Sequence, residues 1–300
     1  MCISNLIFKM AFGRHDGKMN YFLRKNLPLL LGDYLDDLMD WNFGKKDYLV
    51  SNYPHILLSK ELRDGVKVKA YFFKNNADNN KLAVCVHGYN SEVLQDNSPN
   101  ALFYLEHGFD VLMVENRGCN ISGGDYTGFA ILESKDTMEW VKDFVKMNPK
   151  YEIVLQGVSL GGTTVATMSG MDDLPENVKC VVSDCPFRTL TDQLIRSAKI
   201  IHIPKFFIKP LNKICQKKAG YSFTDSSALD SVSKAKVPVL FIHGEDDFFI
   251  PPQNGKDLYE ACSNPGKELL LVPKAGHGGS NFIDEKTYYT TVKNFIEKYI

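Results

Sequence analysis

From about residue 65 onward the chain alternates short apolar runs with longer amphipathic ones, the pattern of a parallel sheet covered by helices. Strands are expected at Val66–Phe73, Leu82–His87, Asp110–Glu115, Glu152–Gln156, Val178–Asp184, Val237–His243 and Glu268–Val272. Several are unbroken runs of Val, Ile and Leu, as in strands buried on both faces. An earlier β-rich stretch, Asp47–Ser59, is expected to pair at an edge. Helical periodicity falls at Ala130–Met147, where Trp140, Val141, Phe144 and Val145 share a stripe, at the small-residue run Leu160–Ser169, at Asn254–Ala261 and at Glu285–Tyr299.

Two segments break the alternation. Residues 1–46 read as a polar and aromatic arm with a short helix at Leu29–Met39, leaving 47–300 as one domain. Residues 187–231 separate two strands by far more than a crossover needs, so they are expected to form an inserted cap. The apolar residues of this insertion are interleaved with Lys199, Lys205, Lys209, Lys213, Lys217 and Lys218, and Pro204 and Pro210 interrupt any long helix. With Arg188 and Arg196 it carries eight basic residues against Asp192, Asp225 and Asp230. Three readings stay open for it: a solvated face over a packed stripe, an acyl-chain lid, or a membrane-surface contact.

Composition narrows the classes. The chain has 300 residues, 44% apolar and 24% charged, which is globular and excludes disorder or a disulfide-stapled mini-protein. A net charge of -1 gives no global reason to expect nucleic acid. Seven scattered cysteines without a CxxC pair argue against a zinc site or disulfide framework. Neither a signal-like segment nor a membrane span is visible, the apolar stretch at residues 27–32 being far too short, so the expected compartment is the cytoplasm. With no HExxH, EF-hand, Walker or dinucleotide motif, no metal and no cofactor are expected.

The sharpest chemical signal is Gly157-Val158-Ser159-Leu160-Gly161, set between a strand and a small-residue helix. A serine on so sharp a turn sits in strained backbone, and its neighbours two residues away must lack a Cβ. The bland alternative is a packing turn with an ordinary serine. A serine hydroxyl needs a base, and the base needs a carboxylate to orient it. His277, in Ala275-Gly276-His277-Gly278-Gly279, follows the last strand on a glycine-flanked loop that can carry an imidazole over the sheet edge. His87 and His243 each end a strand in a His-Gly pair, where a ring more often braces a turn. Glu245, Asp246 and Asp247 are three adjacent carboxylates after a strand, and Asp184 is a further candidate. The backbone N–H of Leu160, at a helix start, and that of Tyr89, after the strand ending at His87, are the expected oxyanion donors. Cys119 and Cys185 read as packing residues, and an N-terminal Cys2 nucleophile has no supporting constellation.

Taken in order, HGY, ENRGCNISGGDY, GVSLGG, PVLFIHGEDDFFIP and AGHG resemble a serine hydrolase of the α/β-hydrolase family. They are most similar to the bacterial esterase/lipase-like branch with a short helical cap, which also includes serine-aminopeptidase-like proteins. The resemblance covers about residues 47–300. It implies an α/β-hydrolase fold, a mostly parallel central sheet flanked by helices with a small helical cap, and it singles out Asp247 among the carboxylates. Ser159, Asp247 and His277 then follow the Ser, Asp, His chain order of that family. Asn120 stands where the family has glycine, a departure asparagine tolerates because it accepts positive φ. Asn116 stands where a loop aspartate is common. The implied activity is hydrolysis of a small carboxylic ester, acyl-chain bearing if the cap lines the cleft, with His87, Phe206, Phe207 and Phe248 as candidate substrate contacts. A peptidase or thioesterase with the same triad is the alternative, and a catalytically silent binding protein the more distant one.

Overall fold

The computed structural model describes residues 3–14, 34–75, 77 and 80–300. An eight-stranded sheet runs in the order β1-β2-β4-β3-β5-β6-β7-β8. Its strands are β1 (His55–Glu61), β2 (Lys67–Phe73), β3 (Lys81–Val86), β4 (Asp110–Glu115), β5 (Glu152–Val158), β6 (Val178–Asp184), β7 (Val239–Gly244) and β8 (Glu268–Val272). Only the β1-β2 and β2-β4 pairs are antiparallel. The helices are α1 (Ile3–Phe12), α2 (Leu35–Asn52), α3 (Val93–Glu106), α4 (Glu133–Met147), α5 (Leu160–Met168), α6 (Leu190–Ile200), α7 (Ile208–Lys218), α8 (Ala228–Val232), α9 (Gln253–Ala261), α10 (Ser280–Ile283) and α11 (Glu285–Ile296). This is the α/β-hydrolase arrangement that the motifs imply.

The unbroken apolar runs are strands with two covered faces. Leu82, Val84 and Val86 point into the layer of α4, α5 and α9, while Ala83 and Cys85 between them point into the layer of α3 and α11. The same period-2 division recurs in β5 and β7, where Ile153, Leu155, Val239 and Phe241 lie on the first side and Val154, Leu240 and Ile242 on the second. Two cores therefore hold one sheet.

Three expectations need correction. The helix expected at Leu29–Met39 is observed as Leu35–Asn52, residues 29–33 lying outside the described part, and it runs through residue 46 without a break. The edge pairing expected over Asp47–Ser59 is confined to β1, because Leu49 is a fully buried helical contact on the α3 layer. Helix α3 was not anticipated, since Pro99 sits in its middle and removes one backbone donor. Burial of residues from Val93 to Leu105 against the sheet offsets that loss. In the inserted segment α6, a short 3-10 turn at Lys205–Phe207 and α7 stand above the sheet, whereas α8 returns to the core through Ala228 and Val232. The described part of the arm is built in rather than loose: Phe8 and Phe12 of α1 are buried with Phe129, Phe187, Leu211 and Phe223 in a third apolar cluster.

The loop after β4 is fixed by charge. Arg117 sends Nε and Nη2 to the two oxygens of Asp136 on α4 and Nη1 to Asp64 at 2.7 Å. Both Arg117 and Asp136 are buried, so neither charge has water to fall back on. Arg117→Ala should cost about 3–5 kcal/mol, the penalty for leaving a buried carboxylate unpaired. Urea denaturation of the two proteins measures it, and a loss below about 1 kcal/mol would show that the pair is dispensable.

Candidate active site

The turn from β5 to α5 closes on contacts that tolerate no side chain. A Cβ on Gly157 would lie 2.2 Å from the carbonyl oxygen of Gly161, and one on Gly161 would lie 2.1 Å from that of Val86. The serine between them is forced to φ 58° and ψ -116°, a conformation that costs on the order of 1–3 kcal/mol and is held by the surrounding packing. Its N–H donates to the Asp184 carbonyl at 2.8 Å. The hydroxyl is thereby raised above the sheet's C-terminal edge, 9% of the residue remaining exposed.

β7 and β8 deliver the other two groups. His277 Nε2 lies 2.8 Å from Ser159 Oγ, and His277 Nδ1 lies 2.7 Å from Asp247 Oδ2. Glu245 and Asp246 are exposed, whereas Asp247 turns inward and its Oδ1 accepts the Ile250 N–H at 2.7 Å. Asp184 is not the partner of His277. Its carboxyl is buried near Tyr288, and burial raises its pKa to about 6.

Burial and charge set the protonation states. Burial alone would disfavour the carboxylate of Asp247, but the adjacent His277 and His243 rings outweigh it and lower the pKa to about 2. For His277 burial opposes the imidazolium, and the Asp247 charge together with its hydrogen bond reverses this, raising the pKa above 6.5. Among the described residues Cys185, Asp247 and His277 place ligating atoms within 4.8 Å of one another. Burial pushes the Cys185 thiol far up, and the Asp247 contact already occupies His277 Nδ1, so this trio is poorly suited to a cation.

The expected oxyanion donors bracket Ser159. Leu160 is the first residue of α5, where a backbone N–H has no acceptor inside the helix. The turn carrying Tyr89 is fixed by Asp96, which accepts the Gly88 N–H at 3.0 Å and the Ser91 hydroxyl at 2.5 Å. A Cβ on Gly88 would sit 3.3 Å from Ser159 Cβ, so this turn lies directly against the serine. The Tyr89 hydroxyl points away and donates to the Ala11 carbonyl at 2.8 Å. Asn116 braces the same loop through its backbone N–H to His87 Nε2 at 3.0 Å and its side-chain amide to the His87 carbonyl at 3.1 Å. Asn120 adopts φ 36°, and its amide donates to the Ser91 carbonyl and to Glu115.

The candidate substrate contacts separate. The His87 ring is fully buried and faces the Gly88 carbonyl, the Asn116 N–H and Glu115, so it braces the loop rather than opening to a ligand. Phe206 projects into solvent and stacks on half-buried Phe207 at 4.5 Å, while Phe248 is exposed beside the catalytic loops. The sequence reading missed three neighbours. Phe249 packs edge-on against His277 at 5.1 Å between ring centroids. Arg196 of α6 donates from Nε to the Phe249 carbonyl at 3.0 Å and from Nη2 to that of Phe248, tying the cap to the Asp247 loop. Tyr34 of the arm accepts the Gly276 N–H, and burial lifts its phenol to about 12. The glycine pairs around His277 were a signal for a close neighbour, because a Cβ on Gly279 would strike the Tyr34 ring.

The model for the prolyl oligopeptidase family, peptidase S9, matches residues 96–300, more than two-thirds of the chain. The chain belongs to that family. It is an α/β-hydrolase family serine hydrolase, and the match spans the serine turn and the loops of Asp247 and His277. An uncharacterized protein of Bacillus subtilis, YqkD, is 29% identical over 237 residues, covering 78% of this chain and 76% of its own. An esterase of Pyrococcus furiosus superposes with a TM-score of 0.68 at 22% identity, over 82% of this chain and 92% of its own. The acylaminoacyl peptidase of Pyrococcus horikoshii gives 0.58 at 16% identity, over 84% of this chain and 43% of the larger enzyme. The family is therefore joined by fold to proteins that cleave different bonds.

The His277 shift has a defined sign. Because the folded pKa lies above 6.5, the stabilisation that His277 gains from Asp247 is complete below that pH while Asp247 stays ionised. It is lost as pH falls toward the Asp247 value of about 2, and is lost as pH rises through the folded His277 value. NMR titration of the His277 ring should give a midpoint above 6.5, and Asp247→Asn should lower it by removing the charge. A midpoint unchanged in Asp247→Asn would contradict the pairing.

Proposed function

We propose that this hydrolase cleaves carboxylic esters through an acyl-enzyme intermediate. The observation that carries the reading is the continuous path from Ser159 Oγ through both nitrogens of His277 to Asp247, with one end 2.8 Å and the other 2.7 Å long. His277 takes the serine proton as Oγ bonds to the acyl carbon, and Asp247 stabilises the resulting imidazolium. The developing oxyanion is held by the N–H groups of Leu160 and Tyr89. The imidazolium then gives its proton to the departing alkoxide, and water repeats the sequence to release the acid. Leaving Asp247 ionised down to about pH 2 keeps the base oriented throughout the working range.

An apolar acyl group is favoured because Leu160, the residue after Ser159, is packed into the third apolar cluster with Phe12, Phe129, Phe187 and Leu194. In this reading residues 187–231 are the cap, Phe207 is its inward-facing aromatic, and Phe206 and Phe248 meet the chain only as it enters. Helix α1 closes the cluster through Phe8 and Phe12, and the hydrolase domain is taken from about residue 47 to 300. The buried free thiols suit a reducing compartment, the cytoplasm. The peptidase reading is kept alive by the family match and by the likeness to the acylaminoacyl peptidase.

Hydrolysis of p-nitrophenyl esters from acetyl to palmitoyl distinguishes these readings. A Ser159-dependent optimum is expected, with Ser159→Ala lowering kcat by at least about four orders of magnitude. If only acyl-peptide or thioester substrates turn over in a Ser159-dependent way, the ester assignment fails while the triad stands. In the wild type kcat/KM should fall as pH drops through the His277 pKa, since only the neutral ring accepts the proton.

A further inference from the structure

Helix α1 is apolar on two faces. Phe8 and Phe12, one turn apart, are buried against the cap, while Ile3, Leu6 and Met10 on the opposite side are 63%, 47% and 57% exposed. A row of exposed aliphatic side chains on a helix whose other face is already buried marks a surface that something else covers. Its neighbour α7 is built oppositely: Leu211 and Cys215 face inward, and Lys209, Lys213 and Lys217, at i, i+4 and i+8, form a stripe on the outer side. A groove of about 1140 Å³ runs between the two helices, with Leu6, Phe8, Met10 and Ile214 along it and Lys9, Lys213, Lys217 and Lys218 at its rim. Asp125 is the carboxylate on its lining. Among the described residues none of these rim lysines, nor Lys209, lies in an ion pair.

We propose that α1 and the outer side of α7 form a docking surface for anionic phospholipid bilayers. Protruding aliphatic side chains flanked by lysines that have no carboxylate partner among the described residues match an interface that presents anions over hydrocarbon. Ile3, Leu6 and Met10 enter the acyl region, and the α7 lysines meet the phosphates. Phe206, itself two-thirds exposed on the turn that leads into α7, extends the apolar rim. A second copy of the chain fits this face badly, because lysine stripe would oppose lysine stripe. Nucleic acid would satisfy the lysines and leave the aliphatic side chains in water. The surface adjoins the reaction site through α1 itself, whose inner face shares a cluster with Leu160.

The test is co-sedimentation of the full chain with phosphatidylcholine vesicles with and without phosphatidylglycerol. Binding is expected only with the anionic lipid and should weaken as salt is raised. Lys209→Gln, Lys213→Gln and Lys217→Gln together should reduce affinity on the order of 100-fold, at about fivefold per charge. Leu6→Ser with Met10→Ser should also release the protein, and both variants should hydrolyse soluble short-chain esters like the parent. Ser159→Ala should bind vesicles normally, which keeps this result separate from the assignment of the reaction. Absence of sedimentation, equal sedimentation with phosphatidylcholine alone, or unchanged binding by the triple lysine variant overturns the proposal. So does binding of duplex DNA that ignores the Leu6 and Met10 changes, or self-association in the centrifuge that those changes abolish.

Discussion

The site depends on the closeness with which three backbones approach at the end of β5. Gly157, Gly161 and Gly162 each lack the Cβ that would drive into a carbonyl oxygen, of Gly161, Val86 and Asp184 respectively. Because the chain can pack that tightly, Ser159 is locked at a positive φ, and α5 begins one residue later with a first N–H that has no acceptor inside the helix. Backbone strain, the placing of the Ser159 hydroxyl and the start of α5 are thus one geometric fact. The neighbouring strands inherit it, since β3 and β6 supply the carbonyls against which the turn rests.

Electrostatics completes what packing begins. A buried carboxylate such as Asp247 is costly unless it is matched, and here His277, His243 and the Ile250 N–H together hold it charged. The same charge makes His277 a stronger base than burial would allow. Arg117 and Asp136 repeat the arrangement farther from the chemistry, where the pair anchors the loop that carries Asn116 and Asn120 against the His87 turn. Charge pairs in this molecule therefore hold loops in place, and the apolar sheet faces hold the scaffold.

The legible parts of the sequence were those with strict period or strict chemistry. Strands buried on both faces read as unbroken apolar runs, and the elbow glycines read directly because no other residue fits. The α/β-hydrolase family and its Ser, Asp, His order were legible from motifs alone. Helix α3 was hidden because Pro99 contradicts local propensity and only the surrounding core restores it. Tyr34, Phe249 and Arg196 were hidden for another reason: each acts through a contact more than 27 residues away in sequence or through a backbone carbonyl, and neither leaves a pattern. For His87 the sequence left a turn brace and a ligand contact both open, since the two look alike until both ring nitrogens are seen to be engaged inside the protein.

The N-terminal arm shows how one element can serve the reaction centre twice without carrying a reacting group. Its first helix supplies Phe8 and Phe12 to the cluster behind Leu160, and the Ala11 carbonyl receives the Tyr89 hydroxyl, so the wall beside the Tyr89 turn is partly made of arm. At its other described end Tyr34 holds the Gly276 amide and fills the space above Gly279, fixing the loop of the base. The arm therefore holds both the turn that carries Tyr89 and the loop that carries His277. The outer face of α1 is thus one helix width from the cluster behind Leu160, joined to it by Phe8 and Phe12.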